Sequence, residues 1–275
     1  MSAYSPKEYW NGVAETFRSA DAAGFAPVLH PDAPAWFNRV IDGLQFRAVR
    51  HALVLAAVPC GATILDVGCG TGRWLRRYSA IGFQSTGIDA TPAMLRIARQ
   101  NGTAAPLIAA VARHLPFADA TFDCVSDITV VQHISPAFQP EAIGEMLRVL
   151  KPGGRLILME LIRGSGAHIF PRAPQDWIQQ ATARGARLIG WFGQEFLLLD
   201  RVFTHVAQTI AGRNGTHARD GALPAAVASH ATSGARRVYW ALRHVTAPLS
   251  AWTDPFAEKI CPAALATHGV FVFQK

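Results

Sequence analysis

Short apolar runs alternate with helix-spaced apolar positions along residues 63–159, and this alternation dominates the chain. Thr63 to Val67, Ser85 to Asp89, Pro106 to Ala110, Phe122 to Ser126 and Arg155 to Met159 read as strands. Between the first two, Trp74, Leu75, Tyr78 and Ile81 line one side of a helix that stops at Gly82. Thr91 as N-cap and Pro92 at the first helical position open the next helix, which stops at Asn101-Gly102. Pro140 to Leu150 is a third helix, and Lys151-Pro152-Gly153-Gly154 reads as a turn into the following strand. Strands alternating with helices predict a doubly wound, mainly parallel α/β sheet covered on both faces.

The flanks are helical in pattern. Glu8 to Arg18 places Tyr9, Val13 and Phe17 on one face, and a proline-rich loop leads to a second helix over Phe46 to Val58. Beyond Glu160, Ala173 to Ala183 reads as a helix, while Arg187 to Phe192 and Val270 to Phe273 bring the sheet to seven strands. The expected organisation is a helical cap over 1–60, an α/β core over 61–193, a helical insertion over 194–265 as a candidate substrate lid, and the last core strand within 266–275.

Half the residues are hydrophobic and 16% are charged, which suits a folded globule. The net charge of +7 is unevenly spread: residues 1–150 are balanced, whereas 151–275 hold 14 basic and 7 acidic side chains. That excess suits an anionic small molecule, an acidic membrane surface or RNA, or it is a solvated basic face. Four scattered cysteines, without metal-ligand spacing, suit a reducing cytoplasm. No N-terminal signal stretch is visible, and no apolar run approaches the ~20 residues needed to span a bilayer. The sequence assigns no oligomeric state.

The sharpest local signal is Ile64-Leu65-Asp66-Val67-Gly68-Cys69-Gly70-Thr71-Gly72, an apolar strand running through a glycine loop into a helix. Dinucleotide loops use the same physics with Gly-x-Gly-x-x-Gly spacing. Here the spacing is Gly-x-Gly-x-Gly, and Asp66 would repel a pyrophosphate while suiting a cationic ligand group. Asp89, ending the next strand, suits a ribose.

With these motifs the chain resembles the class I S-adenosylmethionine-dependent methyltransferases, specifically the small-molecule group that includes the ubiquinone and menaquinone enzymes. Leu115-Pro116-Phe117 to Phe122-Asp123 and Leu147 to Gly154 complete the family's order of motifs over residues 45–160. The resemblance implies that Asp66, Gly68, Cys69, Gly70, Thr71 and Gly72 hold the methionine end of S-adenosylmethionine, with S-adenosylhomocysteine as product. It places Asp89 and Ala90 at the ribose, Met94, Ala112 and Arg113 at the adenine, and Asp127 where cofactor and acceptor meet. Val111 stands where the family often has an acid. Arg47 and Arg50 are weaker candidates for the cofactor carboxylate, surface positions being the plainer reading.

Methyl transfer needs a base only when the acceptor must lose a proton. His133, Glu160 and the weaker His168 are the candidates, each with a structural alternative. The base-methylating Asp/Asn-Pro-Pro-aromatic motif is missing, as is the paired-glutamate loop of arginine methyltransferases, which disfavours nucleic acid and protein acceptors. The expected acceptor is a small molecule, acidic or lipophilic. Within the insertion, Arg236, Arg237, Tyr239, Trp240 and Arg243 suit an anionic or aromatic ligand or a peripheral membrane contact. An RNA methyltransferase and a non-catalytic cofactor-binding subunit are the rival readings, and a nicotinamide-dependent oxidoreductase is disfavoured by the glycine spacing.

Overall fold

A computed structural model describes residues 5–16, 29–30, 33–164, 168–198, 201–202 and 233–275, with side chains from 240 onward in the last of these. Seven strands form one sheet: β1 (Thr63–Val67), β2 (Gln84–Asp89), β3 (Leu107–Ala109), β4 (Phe122–Ile128), β5 (Leu150–Leu161), β6 (Arg187–Gln194) and β7 (His268–Gln274). Their order is β3-β2-β1-β4-β5-β7-β6. The first five pair in parallel, and β7 runs antiparallel to both β5 and β6.

Period-two alternation explains why the central strands are apolar throughout. Leu156 and Leu158 of β5, with Phe271 and Phe273 of β7, face a layer that includes Ile143, Met146 and Trp177. Ile157, Met159, Val270 and Val272 face the opposite layer, built on Ala48, Val49, Ala52, Trp74 and Tyr78. The first layer belongs to α5 (Gln139–Val149) and α6 (Pro174–Thr182), the second to α2 (Ala35–Leu55) and α3 (Arg73–Ala80). α1 (Pro6–Thr16) packs Trp10, Val13 and Ala14 on Ala93, Met94 and Ile97 of α4 (Pro92–Gln100).

Two boundaries differ from the sequence pattern. α2 begins at Ala35 rather than Phe46, because Phe37, Ile41 and Leu44 continue the buried face N-terminally across Gly43. β5 begins at Leu150 rather than Arg155, since Gly153 N–H donates to the Lys275 carbonyl and Lys275 N–H donates back to Gly154. In the insertion, α7 (Ser233–Ile260) is the described helix; the side chains of Arg236, Arg237 and Tyr239 lie outside the described residues.

Candidate active site

The parallel strands end along one edge, above which lies a cavity of about 1220 Å³. That exceeds the ~300–1,000 Å³ of an ordinary small-molecule pocket, so it has room for two ligands side by side.

One half is built by the loop after β1. Gly68 and Gly72 adopt φ of +67° and +74°, and a side chain at either would overlap Val130 or Thr103, so the loop admits no Cβ there. Cys69 N–H donates to the Ile88 carbonyl at 2.8 Å, continuing the β1–β2 pairing past Val67. Asp89 accepts from Gly70 N–H at 2.9 Å and Thr91 N–H at 2.8 Å, leaving each carboxylate oxygen a lone pair toward the cavity it lines. Gly68, Cys69, Gly70, Asp89, Ala90 and Met94 line this half. Ala112 and Arg113 also reach it, as does half-exposed Val111.

Asp66, Thr71 and Gly72 do not line the cavity: Asp66 is buried in β1, and Thr71 is buried within the loop. Burial pushes the Asp66 carboxyl up to about 7 against the opposing Ser126 hydrogen bond and the Arg73 charge. Ser126 Oγ donates to Asp66 Oδ1 at 3.1 Å, and Oδ2 has no hydrogen-bond partner. Sequence reasoning passed over Arg73, the first residue of α3. It lines the cavity with its guanidinium held by Asp42 Oδ1 and Gln45 Oε1, both at 2.8 Å. The signal was its place at the end of the glycine loop.

Asp127 and Glu160 do not reach the cavity, contrary to the expectation for both. Both are fully buried below it. Glu160 accepts the N–H groups of Val130, Val131 and Gln132 at 3.1, 2.9 and 2.9 Å, fixing the short 3₁₀ turn Val131–His133 after β4. With its oxygens so occupied, Glu160 positions that turn rather than meeting substrate. Neither Asp127 oxygen has an aligned hydrogen bond, since the nearby Val130 and Val131 N–H groups point at Glu160. Burial and the Glu160 charge both push Asp127 upward, so the hydrogen-bonded Glu160 is the first of the pair to ionise and Asp127 keeps its proton longer.

His133 does line the cavity. Its Nδ1 meets the His168 carbonyl at 3.0 Å and its Nε2 lies 3.4 Å from the Gln132 amide nitrogen. Burial lowers its pKa to about 4, so the ring is neutral. Tyr9 stacks on His168 at 4.1 Å, His168 on His133 at 5.4 Å, and Trp10 meets His133 edge-on at 5.1 Å. This aromatic row closes the cavity with α1.

The opposite half comes from residues that the sequence did not single out, His30, Phe37, Glu195, Leu197, Arg201 and His268, together with Arg243 of α7. Arg47 instead faces Asp254 and Glu258 of α7 at 3.7 and 3.6 Å. The basic excess of the second half is partly internal: Lys151, Arg155, Arg184, Arg187 and Lys275 all bond within the chain.

Residues 65–158 match the profile of a family described as a methyltransferase domain. Over that stretch the chain is similar to a methyltransferase domain. Among curated proteins, the chain is 42% identical to the malonyl-[acyl-carrier protein] O-methyltransferase of Erwinia pyrifoliae over 37% of this chain and 38% of that one. It is 35% identical to the demethylmenaquinone methyltransferase of Renibacterium salmoninarum, over 45% and 52%. It is 33% identical to the ubiquinone/menaquinone biosynthesis C-methyltransferase UbiE of Pseudomonas putida, over 54% and 62%. The chain thus spans between 38% and 62% of these relatives' lengths. In fold, the methyltransferase domain and its flanks resemble a SAM dependent methyltransferase from Archaeoglobus fulgidus (TM-score 0.52, 16% identity, 84% and 93% covered). They also resemble the [4+2]-cyclase SpnF (TM-score 0.52, 22% identity, 83% and 80% covered).

Proposed function

We propose that the protein transfers a methyl group from S-adenosylmethionine to oxygen, nitrogen or carbon of a small acceptor. The observation that carries this is the buried, unpartnered Oδ2 of Asp66 beneath a loop that admits no Cβ. From beneath the loop the Asp66 charge, without contact, favours a cationic ligand group in the cavity above and disfavours a pyrophosphate. Asp89 would hold the ribose, Ala112 and Met94 the adenine, and Arg73 the cofactor's carboxylate. When bound, the cofactor supplies a methyl group on a good leaving group, so the chain's task is proximity and alignment.

Calorimetric titration with S-adenosylmethionine and S-adenosylhomocysteine tests this. Asp66→Ala and Asp89→Ala should each weaken binding by at least about tenfold, a loss of ~1.4 kcal/mol. Asp66 ionises at about 7 without ligand, and a bound cation favours its charged form. Affinity should therefore rise from pH 6 to pH 8, with proton release on binding. A folded wild-type protein that binds neither ligand would refute the reading.

A second feature bears on the acceptor. The outward face of α7 is apolar: Leu242, Val245, Leu249, Trp252, Phe256 and Ile260 are all exposed. At 100° per residue they fall in a stripe about 80° wide, opposite the face that buries Ala247 and Asp254. The basic excess after residue 150 complements an anionic bilayer, and we read this stripe as a peripheral lipid contact through which a lipophilic acceptor is taken up. Among the described residues no helix is long and apolar enough to cross a membrane. Vesicles containing anionic lipid should co-sediment with the wild type and much less with Trp252→Ser/Phe256→Ser; equal binding, or a dimer dispersed by these changes, would replace the lipid reading. Cys60, Cys69, Cys124 and Cys261 are all unpaired, which supports a cytoplasmic location. The role of 194–265 as a substrate lid rests on Arg243 reaching the cavity from α7.

A further inference from the structure

The cavity has a second polar centre, away from the residues that would hold the cofactor. His268 opens β7, opposite Leu161 of β5 and Gln194 of β6, so the antiparallel strand brings its first residue to the edge where the parallel strands end. Its Nδ1 stands 3.2 Å from Oε2 of Glu195, an ion-pair contact rather than an aligned hydrogen bond, and both atoms are buried. Glu195 follows β6 at φ +65°, an uncommon conformation for a residue with a side chain. The two are 8% and 6% exposed, and both line the cavity.

Other charged or titratable groups surround the pair: His30 ahead of α2, His133 after β4, Arg201 beyond β6 and Arg243 on α7. Burial pushes the Glu195 carboxyl up, but His268, His30 and Arg201 outweigh it and hold that carboxyl below its usual value. His133 is a poorer proton acceptor, since its Nε2 already faces the Gln132 amide nitrogen at 3.4 Å and burial makes its ring resist charging.

We propose that His268, backed by Glu195, takes the proton of an acceptor hydroxyl, and that the acceptor is a phenol or enol. The proposal rests on the methyl-transfer reading. The Glu195 charge beside Nδ1 favours the tautomer with its proton there, which leaves the Nε2 lone pair for the acceptor. As the acceptor oxygen bonds the methyl carbon, the carbon–sulfur bond breaks toward sulfur, and the hydroxyl proton passes to Nε2. The products are a methyl ether and a neutral thioether; the imidazolium is balanced by Glu195 until its proton leaves to solvent. The guanidinium groups of Arg163, Arg201 and Arg243 line the same cavity and favour developing oxyanion over an ammonium acceptor. A carboxylate acceptor would need no base. His268 lies two strands from β4, about 10 Å by strand spacing, a span that one aromatic ring and its substituents bridge.

The test uses the full chain saturated with S-adenosylhomocysteine and 4-nitrophenol as probe, following the phenolate absorbance against pH. In the wild type the bound probe should ionise about one pH unit or more below the free phenol. His268→Asn and Glu195→Gln should abolish that shift while binding S-adenosylhomocysteine normally and unfolding at wild-type temperature. With phenolic acceptors the same variants should lose about 100-fold in kcat, with KM little changed. Failure of the probe to enter, unshifted ionisation in the wild type, or an unchanged shift in His268→Asn each overturns the proposal. Loss of S-adenosylhomocysteine binding by the wild type would instead overturn the methyl-transfer reading beneath it.

Discussion

Glu160→Ala is expected to destabilise the protein by on the order of 5 kcal/mol, among the largest effects of any single substitution. The Glu160 carboxylate accepts three backbone N–H groups from the turn after β4, and alanine would leave Val130, Val131 and Gln132 without an acceptor. Each orphaned buried donor costs about 1–3 kcal/mol. Denaturant unfolding should show the loss directly, and a change below about 1 kcal/mol would mean that water reaches the turn. Its partner Asp127 carries a pH signature. Both carboxyls are held above their ordinary values by burial, Glu160 at about 7, so the folded chain binds protons more tightly than the unfolded one. Their contribution is fully present below about pH 4 and lost as pH rises through the folded values. Asp127→Asn removes one such group, so its melting temperature should fall less than the wild type's between pH 5 and pH 8. Equal slopes would dismiss this account of the pair.

The second large effect lies under the glycine loop. Arg73 is 5% exposed, and Asp42 reaches it from α2 while also pairing with Arg77 at 2.5 Å. Burial pulls the Arg73 pKa down, and the Asp42 charge is the chief force opposing that pull. Asp42→Ala leaves a buried guanidinium without its counter-ion, a change that costs about 3–5 kcal/mol. Asp42→Leu/Arg73→Met, which removes both charges, should recover much of that stability. A double mutant as unstable as Asp42→Ala alone would show that packing, not charge, is at issue. In either variant S-adenosylhomocysteine should bind more weakly, because Arg73 also lines the cavity.

The sheet was legible because its strands are buried on both faces and the helices between them carry one apolar side each. α2 was read too short because a proline loop and Gly43 mask a face that runs continuously from Phe37 to Leu53. The cofactor half was legible from residues close in sequence, where the spacing of Gly68, Gly70 and Gly72 and the place of Asp89 at a strand end carry the geometry. Depth was not: whether an acid at a strand end faces ligand or floor depends on register. Asp89 faces the cavity, while Asp127 and Glu160 lie beneath it. Nor was the acceptor half, whose residues are 73 positions apart in Glu195 and His268 and meet only because β7 reverses direction. Reading the first residue of a reversed strand as a ligand-edge position would have found His268.

The two halves of the cavity also have separate addresses in the chain. The loop, Asp66, Asp89 and the adenine side fall within residues 65–158, the stretch that matches the methyltransferase domain. His30, Glu195, Arg201, Arg243 and His268 all fall outside it, on segments joined to the sheet through α2, β6 and β7. Changes of side chain in those segments leave the β1–β2–β4 scaffold and its glycine loop untouched. On the methyl-transfer reading, substrate preference can therefore drift, or be engineered, on an unaltered donor platform, and new acceptors are most accessible through the flanks.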